Sequence, residues 1–202
     1  MAKEERFDWD YELSKSRVVL LTGEIGEDTV HQVCTKLTIL DDKNPEYEDE
    51  DGNTYRKPIW LYINSYGGCI YDGLAVIDTM RSLRSPVFTV VRGKAMSMGA
   101  AIAALGDRRF ATPHSRIMFH EAAGGVQGKI NLMEEEVSEC RFLNDELMNL
   151  ISERIGMKAK DFSKLIYKKD VYLSADEALK INAIDEIIQP SEKSIDPKYL
   201  KQ

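Results

Sequence analysis

Short, continuous runs of apolar residues alternate along this chain with longer segments of helical periodicity. The run from Val18 to Thr22 is rich in β-branched residues and stops at Gly23, a pattern typical of a buried strand. A helix is predicted over residues 27–40, where apolar residues recur at spacings of three and four. These residues are Val30, Val33, Leu37 and Leu40.

The same alternation continues along most of the chain. Further strands are predicted over residues 58–64, 87–91 and 116–120, and further helices over residues 71–83, 97–105 and 131–154. This alternation indicates an α/β fold with parallel strands, right-handed crossovers and active-site loops at the strand ends. A chain of 202 residues can bury roughly 70% of its unfolded surface, so a single domain over residues 1–202 is expected.

Residues 41–57 interrupt this regular pattern. The segment is dense in acidic residues, with Pro, Gly and Asn among them. Such a composition cannot bury enough apolar surface to form a packed element. We therefore predict an acidic, exposed loop within the domain.

Composition excludes several classes of partner. The net charge of −7 argues against nucleic acid, which requires a basic surface. Cys34, Cys69 and Cys140 form no C-x-x-C pair, so neither a disulfide framework nor a metal site is expected, and a reducing cytoplasm is the natural compartment. No segment approaches the roughly 18 apolar residues that span a bilayer, so a soluble protein without membrane contact is expected.

Ser97 is a candidate nucleophile because it lies at a predicted strand-to-helix transition lined with small residues. A hydroxyl there is close to the free N–H groups of a helix N-terminus, which favour negative charge. The arrangement resembles the G-x-S-x-G nucleophile elbow, although Ala95 takes the place of the first glycine. The alternative is a serine that only caps the helix.

A serine nucleophile needs a base, and the chain has three histidines. His31 falls within the first predicted helix and His114 within a turn, where surface histidines are common. His120 ends an apolar strand, the location at which sites of open α/β sheets collect. A histidine satisfied within the core is the alternative.

An orienting carboxylate is harder to choose among 34 acidic residues, most of which are expected to be solvated. Asp170 directly precedes the apolar run Val171 to Leu173, so burial beside an imidazole is expected. Gly67 and Gly68 follow a predicted strand. They form either a plain turn or a close approach of backbone N–H groups to an oxyanion.

Four ordered motifs resemble the ClpP family, the proteolytic subunits of the Clp protease. They are Asn64-Ser65-x-Gly67-Gly68, Ala95-x-Ser97-Met98-Gly99-Ala100, Met118-x-His120 and Asp170-x-x-Leu173-Ser174-Ala175-x-Glu177-Ala178. The resemblance extends from Phe7 to about Ile188, and the order Ser, His, Asp is the one that this family uses. It leaves residues 1–6 as a short N-terminal segment.

The resemblance implies a ClpP/crotonase-like fold of repeated β-β-α units with a protruding strand-helix handle over residues 121–155. It implies a Ser97–His120–Asp170 catalytic triad in a serine endopeptidase. Backbone N–H groups of Gly68 and Met98 would form the oxyanion hole. Substrate-binding positions would be Gly67, Ile70, Gly124 and Gly125.

The resemblance also implies partners. Two stacked heptameric rings would enclose a chamber, and apolar positions of the handle helix would face a partner ring or the core. Those positions are Leu132, Val137, Cys140, Leu143, Leu147 and Leu150. Trp60 and Tyr62 share one face of a strand and match a docking site for an AAA+ unfoldase such as ClpX or ClpA, although a buried core face is the alternative. Substrates would be peptides and unfolded proteins, with no intrinsic cofactor and ATP used only by the unfoldase.

Three departures distinguish this chain from the family pattern. Tyr66 replaces the usual Pro, Glu121-Ala122 replaces Gln-Pro, and Lys168-Lys169 replaces an acid and an Arg before Asp170. Glu121 is expected to point away from His120 on a regular strand. Two other functional classes remain as alternatives: a structural subunit of a mixed ring, and a crotonase-type acyl-CoA enzyme, whose chemistry does not need a triad serine.

Overall fold

A computed structural model describes residues 16–189 of the chain. The predicted N-terminal segment 1–6 lies outside this range. The strands of the described part are β1 (Val18–Ile25), β2 (Tyr47–Glu48), β3 (Thr54–Tyr55), β4 (Ile59–Gly68), β5 (Val87–Met96), β6 (Arg108–Ala111), β7 (Arg116–Phe119), β8 (Val171–Ser174) and β9 (Glu186–Ile187). The helices are α1 (Glu27–Asp42), α2 (Ile70–Ser82), α3 (Met98–Ala104), α4 (Ile130–Ile155), α5 (Ala159–Ile166) and α6 (Ala175–Lys180).

A mostly parallel sheet forms the centre of the fold, in the order β1-β4-β5-β6-β9. Strand β7 also pairs with β5 in parallel, and β8 pairs with β7 antiparallel. Helices connect the main parallel strands, so the predicted α/β class is confirmed. The ends of β4, β5 and β7 therefore lie side by side, and the candidate site is located there.

Strand β5 is longer than predicted because Gly93 does not end it. Gly93 has a φ of +93° and lies where the β4–β5 register shifts, so it forms a bulge within the strand. Before the bulge, β5 pairs with β6 through Phe88 to Val91, and after it with β7 through Lys94 to Met96. The second half of β5 thus leads directly to Ser97.

The core lies between the sheet and its helices. Alternate residues of β1 and β4, such as Leu21, Leu61 and Ile63, are fully buried against them. The predicted first helix also buries its apolar stripe, which includes Val33 and Leu37. All seven residues of α3 are buried, which explains why this helix consists of small residues.

The segment 41–57 is mostly exposed, as predicted, but it contains regular structure and a buried acid. Helix α1 continues through Asp42, and β2 and β3 form an antiparallel hairpin. Asp41 is buried and accepts hydrogen bonds from the backbone N–H (2.7 Å) and hydroxyl (2.6 Å) of Ser85. Burial opposes its ionisation, but these bonds outweigh that cost and lower the pKa of Asp41. The composition failed to indicate this packing because it does not record hydrogen-bond partners.

Helix α4 has two different halves. The later positions Leu143 and Leu147 are buried, whereas the earlier positions Leu132 and Val137 are 47% and 43% exposed. The predicted stripe therefore belongs to the core only in its second half. Residues 121–129 contain no strand, so the strand part of the predicted strand-helix handle is not formed in this chain alone.

The cysteines and the lengths of the helices bear on the predictions made from composition. Cys34, Cys69 and Cys140 are free thiols. None of the helices described between residues 16 and 189 combines the length and apolarity needed to cross a bilayer.

Candidate active site

Ser97 occupies the single residue between β5 and α3. Its φ of +53° is unusual for a residue with a side chain, and its backbone N–H donates to the carbonyl of Met118 at 2.9 Å. The residue stands at the N-cap position of α3, but its hydroxyl makes no capping hydrogen bond. The capping alternative is therefore wrong for the side chain, which points elsewhere.

His120 lies one residue beyond β7 and meets that hydroxyl. Its Nε2 is 2.7 Å from Oγ of Ser97, within hydrogen-bonding distance. The register pairs Met96 with Met118, and Ser97 and His120 follow these paired residues by one and two positions, so their side chains lie close together. His31 and His114, in contrast, are exposed on α1 and in the turn before β7.

Asp170 directly precedes β8, which pairs with β7 on the side opposite β5, and its carboxylate lies near His120. Antiparallel pairing sets Val171 opposite Phe119, so the residues next to this pair, Asp170 and His120, are also neighbours. Oδ1 of Asp170 is 3.6 Å from Nδ1 of His120, longer than a hydrogen bond. The expected burial of Asp170 is wrong: its side chain is 52% exposed, because it lies in a surface turn before a short edge strand.

Gly67 and Gly68 are the last residues of β4 and do not form a separate turn. A Cβ atom on Gly67 would lie 2.7 Å from Cβ of Ser97, and one on Gly68 would lie 2.1 Å from the carbonyl oxygen of Ile25. Both contacts are shorter than van der Waals distances. Glycine is therefore required here so that the backbone of β4 can approach the serine and β1 closely.

Two cavities adjoin the Ser97–His120 pair. A cavity of about 40 Å³ is lined by both residues and by apolar side chains, with Asn144 of α4 among its walls. A cleft of about 580 Å³ lies beside it between α2 and α4. Its lining includes Gly68, Ile70, Gly124 and Gly125.

The structure brings most of the predicted substrate-binding positions together. Ile70 lines both cavities, and Gly124 and Gly125 line the larger one. Gly67 lines neither cavity and lies against Ser97. The side chain of Met98 lines the smaller cavity and packs against Gly73 of α2.

Tyr71 and Glu139 form a contact that sequence reasoning missed. The Tyr71 hydroxyl donates to Oε1 of Glu139 at 2.8 Å, joining α2 to α4 along the cleft. This hydrogen bond, followed by partial burial and the nearby negative charges, raises the pKa of Tyr71. The two residues are 68 positions apart, so no local pattern could have indicated the contact.

Trp60 and Tyr62 share one face of β4 as predicted, on the side opposite the core. Trp60 packs against Phe88 and Phe110, with ring centroids 5.3 and 5.5 Å apart. The guanidinium of Arg92 lies 4.7 Å from the centroid of the Tyr62 ring. Both side chains are half-buried, so this face is neither part of the core nor fully exposed to solvent. Its role in docking stays a prediction.

The three departures have distinct surroundings. Tyr66 is 70% exposed, and the ammonium of Lys94 lies over its ring. Glu121 lies beyond the end of β7, and its carboxylate accepts a hydrogen bond from the backbone N–H of Lys168 at 2.9 Å. The ammonium of Lys168 lies 5.0 Å from the ring centroid of Tyr167.

This arrangement provides the parts of an activated nucleophile. A hydroxyl within hydrogen-bonding distance of an imidazole can lose its proton to that ring as it attacks an electrophile. A carboxylate near the other ring nitrogen can favour the required tautomer. Within residues 16–189, no group of three His, Cys, Asp or Glu side chains is arranged to hold a metal ion.

Comparison with protein families gives one match that covers almost the whole chain. A sequence model of the family described as Clp protease matches residues 2–191. The matched region contains every residue of the candidate site and all nine strands.

Proposed function

Because this chain belongs to the Clp protease family, we propose that it is a serine endopeptidase in which Ser97 is the nucleophile, His120 the general base and acid, and Asp170 the orienting carboxylate. The observation that carries the proposal is the 2.7 Å contact between Nε2 of His120 and Oγ of Ser97. The strained φ of Ser97 supports it, because strain of this kind concentrates at functional sites.

The proposed reaction proceeds in two halves. His120 accepts the hydroxyl proton as Oγ of Ser97 attacks the peptide carbonyl carbon, and the carbonyl oxygen becomes an oxyanion. His120 then donates the proton to the leaving amine, which breaks the peptide C–N bond and leaves an acyl-serine. Water repeats the sequence: His120 takes its proton as the water oxygen adds to the acyl carbon, the bond from that carbon to Oγ of Ser97 then breaks, the carboxylic acid leaves, and His120 returns the proton to Oγ.

Backbone N–H groups of Gly68 and Met98 are proposed to stabilise the oxyanion. The close approach of β4 to Ser97 at Gly67 supports this role, since a Cβ atom on Gly67 would lie 3.1 Å from the backbone nitrogen of Met98. Loss of one such donor typically lowers turnover about 100- to 1000-fold.

The cleft is proposed to hold the substrate chain. Its lining combines accessible glycine backbone at Gly124 and Gly125 with the apolar side chain of Ile70. Extended peptides bind well to such surfaces, because their main chains can form hydrogen bonds while alternate side chains enter pockets. Peptides and unfolded proteins, with apolar residues near the cleaved bond, are therefore the proposed substrates.

Assembly and partners are proposed on the basis of family membership. Two stacked heptameric rings would cover the exposed apolar half of α4, and an AAA+ unfoldase such as ClpX or ClpA would dock at Trp60 and Tyr62. The peptidase itself would use no cofactor, and ATP would be consumed by the unfoldase. The proposed location is the cytoplasm.

Labelling with a fluorophosphonate probe tests the catalytic proposal. Wild type, Ser97→Ala and the control Ser82→Ala are treated in parallel and analysed by intact mass and peptide mapping. We expect one adduct at Ser97 in the wild type and control, and none in Ser97→Ala. A well-assembled wild-type protein that is not labelled would favour a structural subunit instead, and saturable CoA binding without peptidase activity would favour an acyl-CoA enzyme.

A further inference from the structure

The turn that carries Asp170 is held in an unfavourable backbone conformation. Lys168 has a φ of +54°, a region that residues with a β-carbon seldom occupy. Conformations of this kind cost about 1–3 kcal/mol and persist only where surrounding contacts impose them. The turn lies between the buried end of α5 at Ile166 and the first residue of β8.

Two contacts hold this turn from different sides. The backbone N–H of Lys169 donates to the carbonyl of Ile166 at 3.1 Å, which closes the turn on α5. The backbone N–H of Lys168 donates to Oε2 of Glu121 at 2.9 Å. This second contact spans 47 positions of sequence and is made to the residue that directly follows His120.

The carboxylate of Glu121 thus connects the two segments that bear His120 and Asp170. The pairing of Phe119 with Val171 lies on one side of the His120–Asp170 contact, and the Glu121–Lys168 bond lies on the other. The contact between them is a loose one of 3.6 Å, and Asp170 is half-exposed. The distance from this carboxylate to the imidazole therefore depends on how the backbone is held on these two sides.

We propose that Glu121 is a positioning residue for the reaction: by accepting the Lys168 N–H, it holds the 167–169 turn in the conformation that directs Asp170 at His120. The inference rests on the proposed function. Glu121 also lines the cleft, but its Oε2 accepts from the Lys168 N–H, so the proposed effect on the reaction is made through the turn that carries Asp170. The role of Glu121 requires a hydrogen-bond acceptor and not a negative charge.

Two substitutions of Glu121 separate the need for a hydrogen-bond acceptor from the need for a negative charge. Glu121→Gln keeps a carbonyl acceptor for the Lys168 N–H, whereas Glu121→Ala removes it. Glu50→Ala, on the separate β2–β3 hairpin, is the control for loss of one exposed carboxylate. Each variant is also made in an Asp170→Ala background, so that coupling between the two positions can be measured.

Two measurements test the proposal on the assembled protein. Hydrogen–deuterium exchange at millisecond to second times reports the Lys168 amide through a peptide covering residues 165–171, in which Lys168 follows the first two residues, whose amides do not retain deuterium. Hydrolysis of a fluorogenic peptide reports kcat and KM. We expect Glu121→Ala to accelerate that exchange and to lower kcat about 10- to 100-fold with little change in KM, because small misplacements of catalytic groups have effects of this size. Glu121→Gln should restore both values to near wild type.

Coupling decides between positioning and general structural damage. If Glu121 acts through Asp170, Glu121→Ala should cause no further loss in the Asp170→Ala background. An additive loss would overturn the proposal, as would unchanged exchange or an unchanged kcat in Glu121→Ala. A wild-type protein that neither labels at Ser97 nor cleaves peptide would overturn the proposed function itself, and with it this role. Failure of the proposed function is distinguishable from failure of the Glu121 proposal, because the first is seen in the wild-type protein alone and the second only when variants are compared.

Discussion

At the scale of single residues, the site depends on three backbone positions that most side chains could not occupy. Ser97 has a φ of +53°, and Gly67 and Gly68 have φ values of +103° and +153°. The strain at Ser97 turns its hydroxyl away from the helix that it would otherwise cap and towards His120. Gly67 lets β4 approach the serine closely, and Gly68 lets it approach Ile25 of β1.

Replacing Asp170 by Asn tests its role in orienting His120. An amide at this position would favour the wrong imidazole tautomer, and we expect kcat for peptide hydrolysis to fall about 100- to 10,000-fold. Steady-state kinetics with a fluorogenic peptide measures the change. Asp176→Asn, an exposed acid of α6, is the matched control. Equal activity in the two variants would show that Asp170 has no such role.

Replacing Gly68 by Ala tests the close approach of β4 to β1. The added methyl group would lie 2.1 Å from the carbonyl oxygen of Ile25, so the strand end must move. We expect a loss of about 3 kcal/mol in the free energy of unfolding and loss of Ser97 labelling. At the neighbouring Gly26 a Cβ meets no atom within 4 Å, so Gly26→Ala should retain labelling. Retained labelling in Gly68→Ala would contradict the proposed oxyanion geometry.

At the scale of elements, the sheet edge is fixed by an ion pair between a buried guanidinium and a partly exposed carboxylate. Arg109 of β6 is almost fully buried, and its Nε donates to Oδ2 of Asp185, just before β9, at 3.0 Å. Burial opposes ionisation of Asp185, but the hydrogen bonds and charge of Arg109 outweigh it and lower the pKa of Asp185. The pair therefore links β9 to the sheet.

Asp185→Asn should destabilise the protein by about 2–3 kcal/mol, because a buried guanidinium would lose its charged partner. Since folding lowers the pKa of Asp185, its contribution is present above the unfolded pKa of about 3.9 and is lost as pH falls through the folded pKa. In Asp185→Asn, the free energy of unfolding should therefore fall less between pH 7 and low pH than it does in the wild type. Denaturant unfolding at pH 7 and below pH 4 measures both effects.

The exposed pair next to it provides the control for that experiment. Arg108 and Glu186 are 3.3 Å apart, and both side chains are more than half exposed. Glu186→Gln should therefore change the free energy of unfolding by less than about 0.5 kcal/mol. Equal effects of the two substitutions would mean that the Arg109–Asp185 pair is no stronger than a surface contact.

At the scale of the whole molecule, the first half of α4 presents apolar side chains that the described part of the chain does not cover. Ile130, Val137 and Phe142 are 73%, 43% and 59% exposed. A surface of this kind on an otherwise well-packed domain is typical of a protein interface. It supports the proposed contact between rings.

Val137→Glu tests this contact. Fourteen chains of 23.0 kDa would form an assembly of about 322 kDa, and we expect light scattering to measure that mass for the wild type. The charged substitution should shift the mass towards smaller species, because burying an unpaired carboxylate is costly. Gln32→Glu on the exposed face of α1 should not. Monomeric wild type would contradict the chamber proposal.

Much of the fold and the candidate site could be predicted because the relevant information is local. The apolar run from Val18 predicted a strand and the periodicity of residues 27–40 predicted a helix, and both are present. Each pattern indicates which side chains face a core. Four short motifs identified the family and the three side chains that the structure brings together. Those motifs record the residue types that a reaction needs.

Contacts between distant residues were decided by the tertiary structure alone. The burial of Asp41 depends on Ser85, the bond from Tyr71 reaches Glu139, and the turn before Asp170 depends on Glu121. Composition predicted the exposure of most of residues 41–57 but not the burial of Asp41 and Asn44, and the position of Asp170 before an apolar run wrongly predicted a buried acid. A sequence pattern states the polarity of a side chain, whereas its partner and its exposure depend on which strands and helices the fold brings beside it.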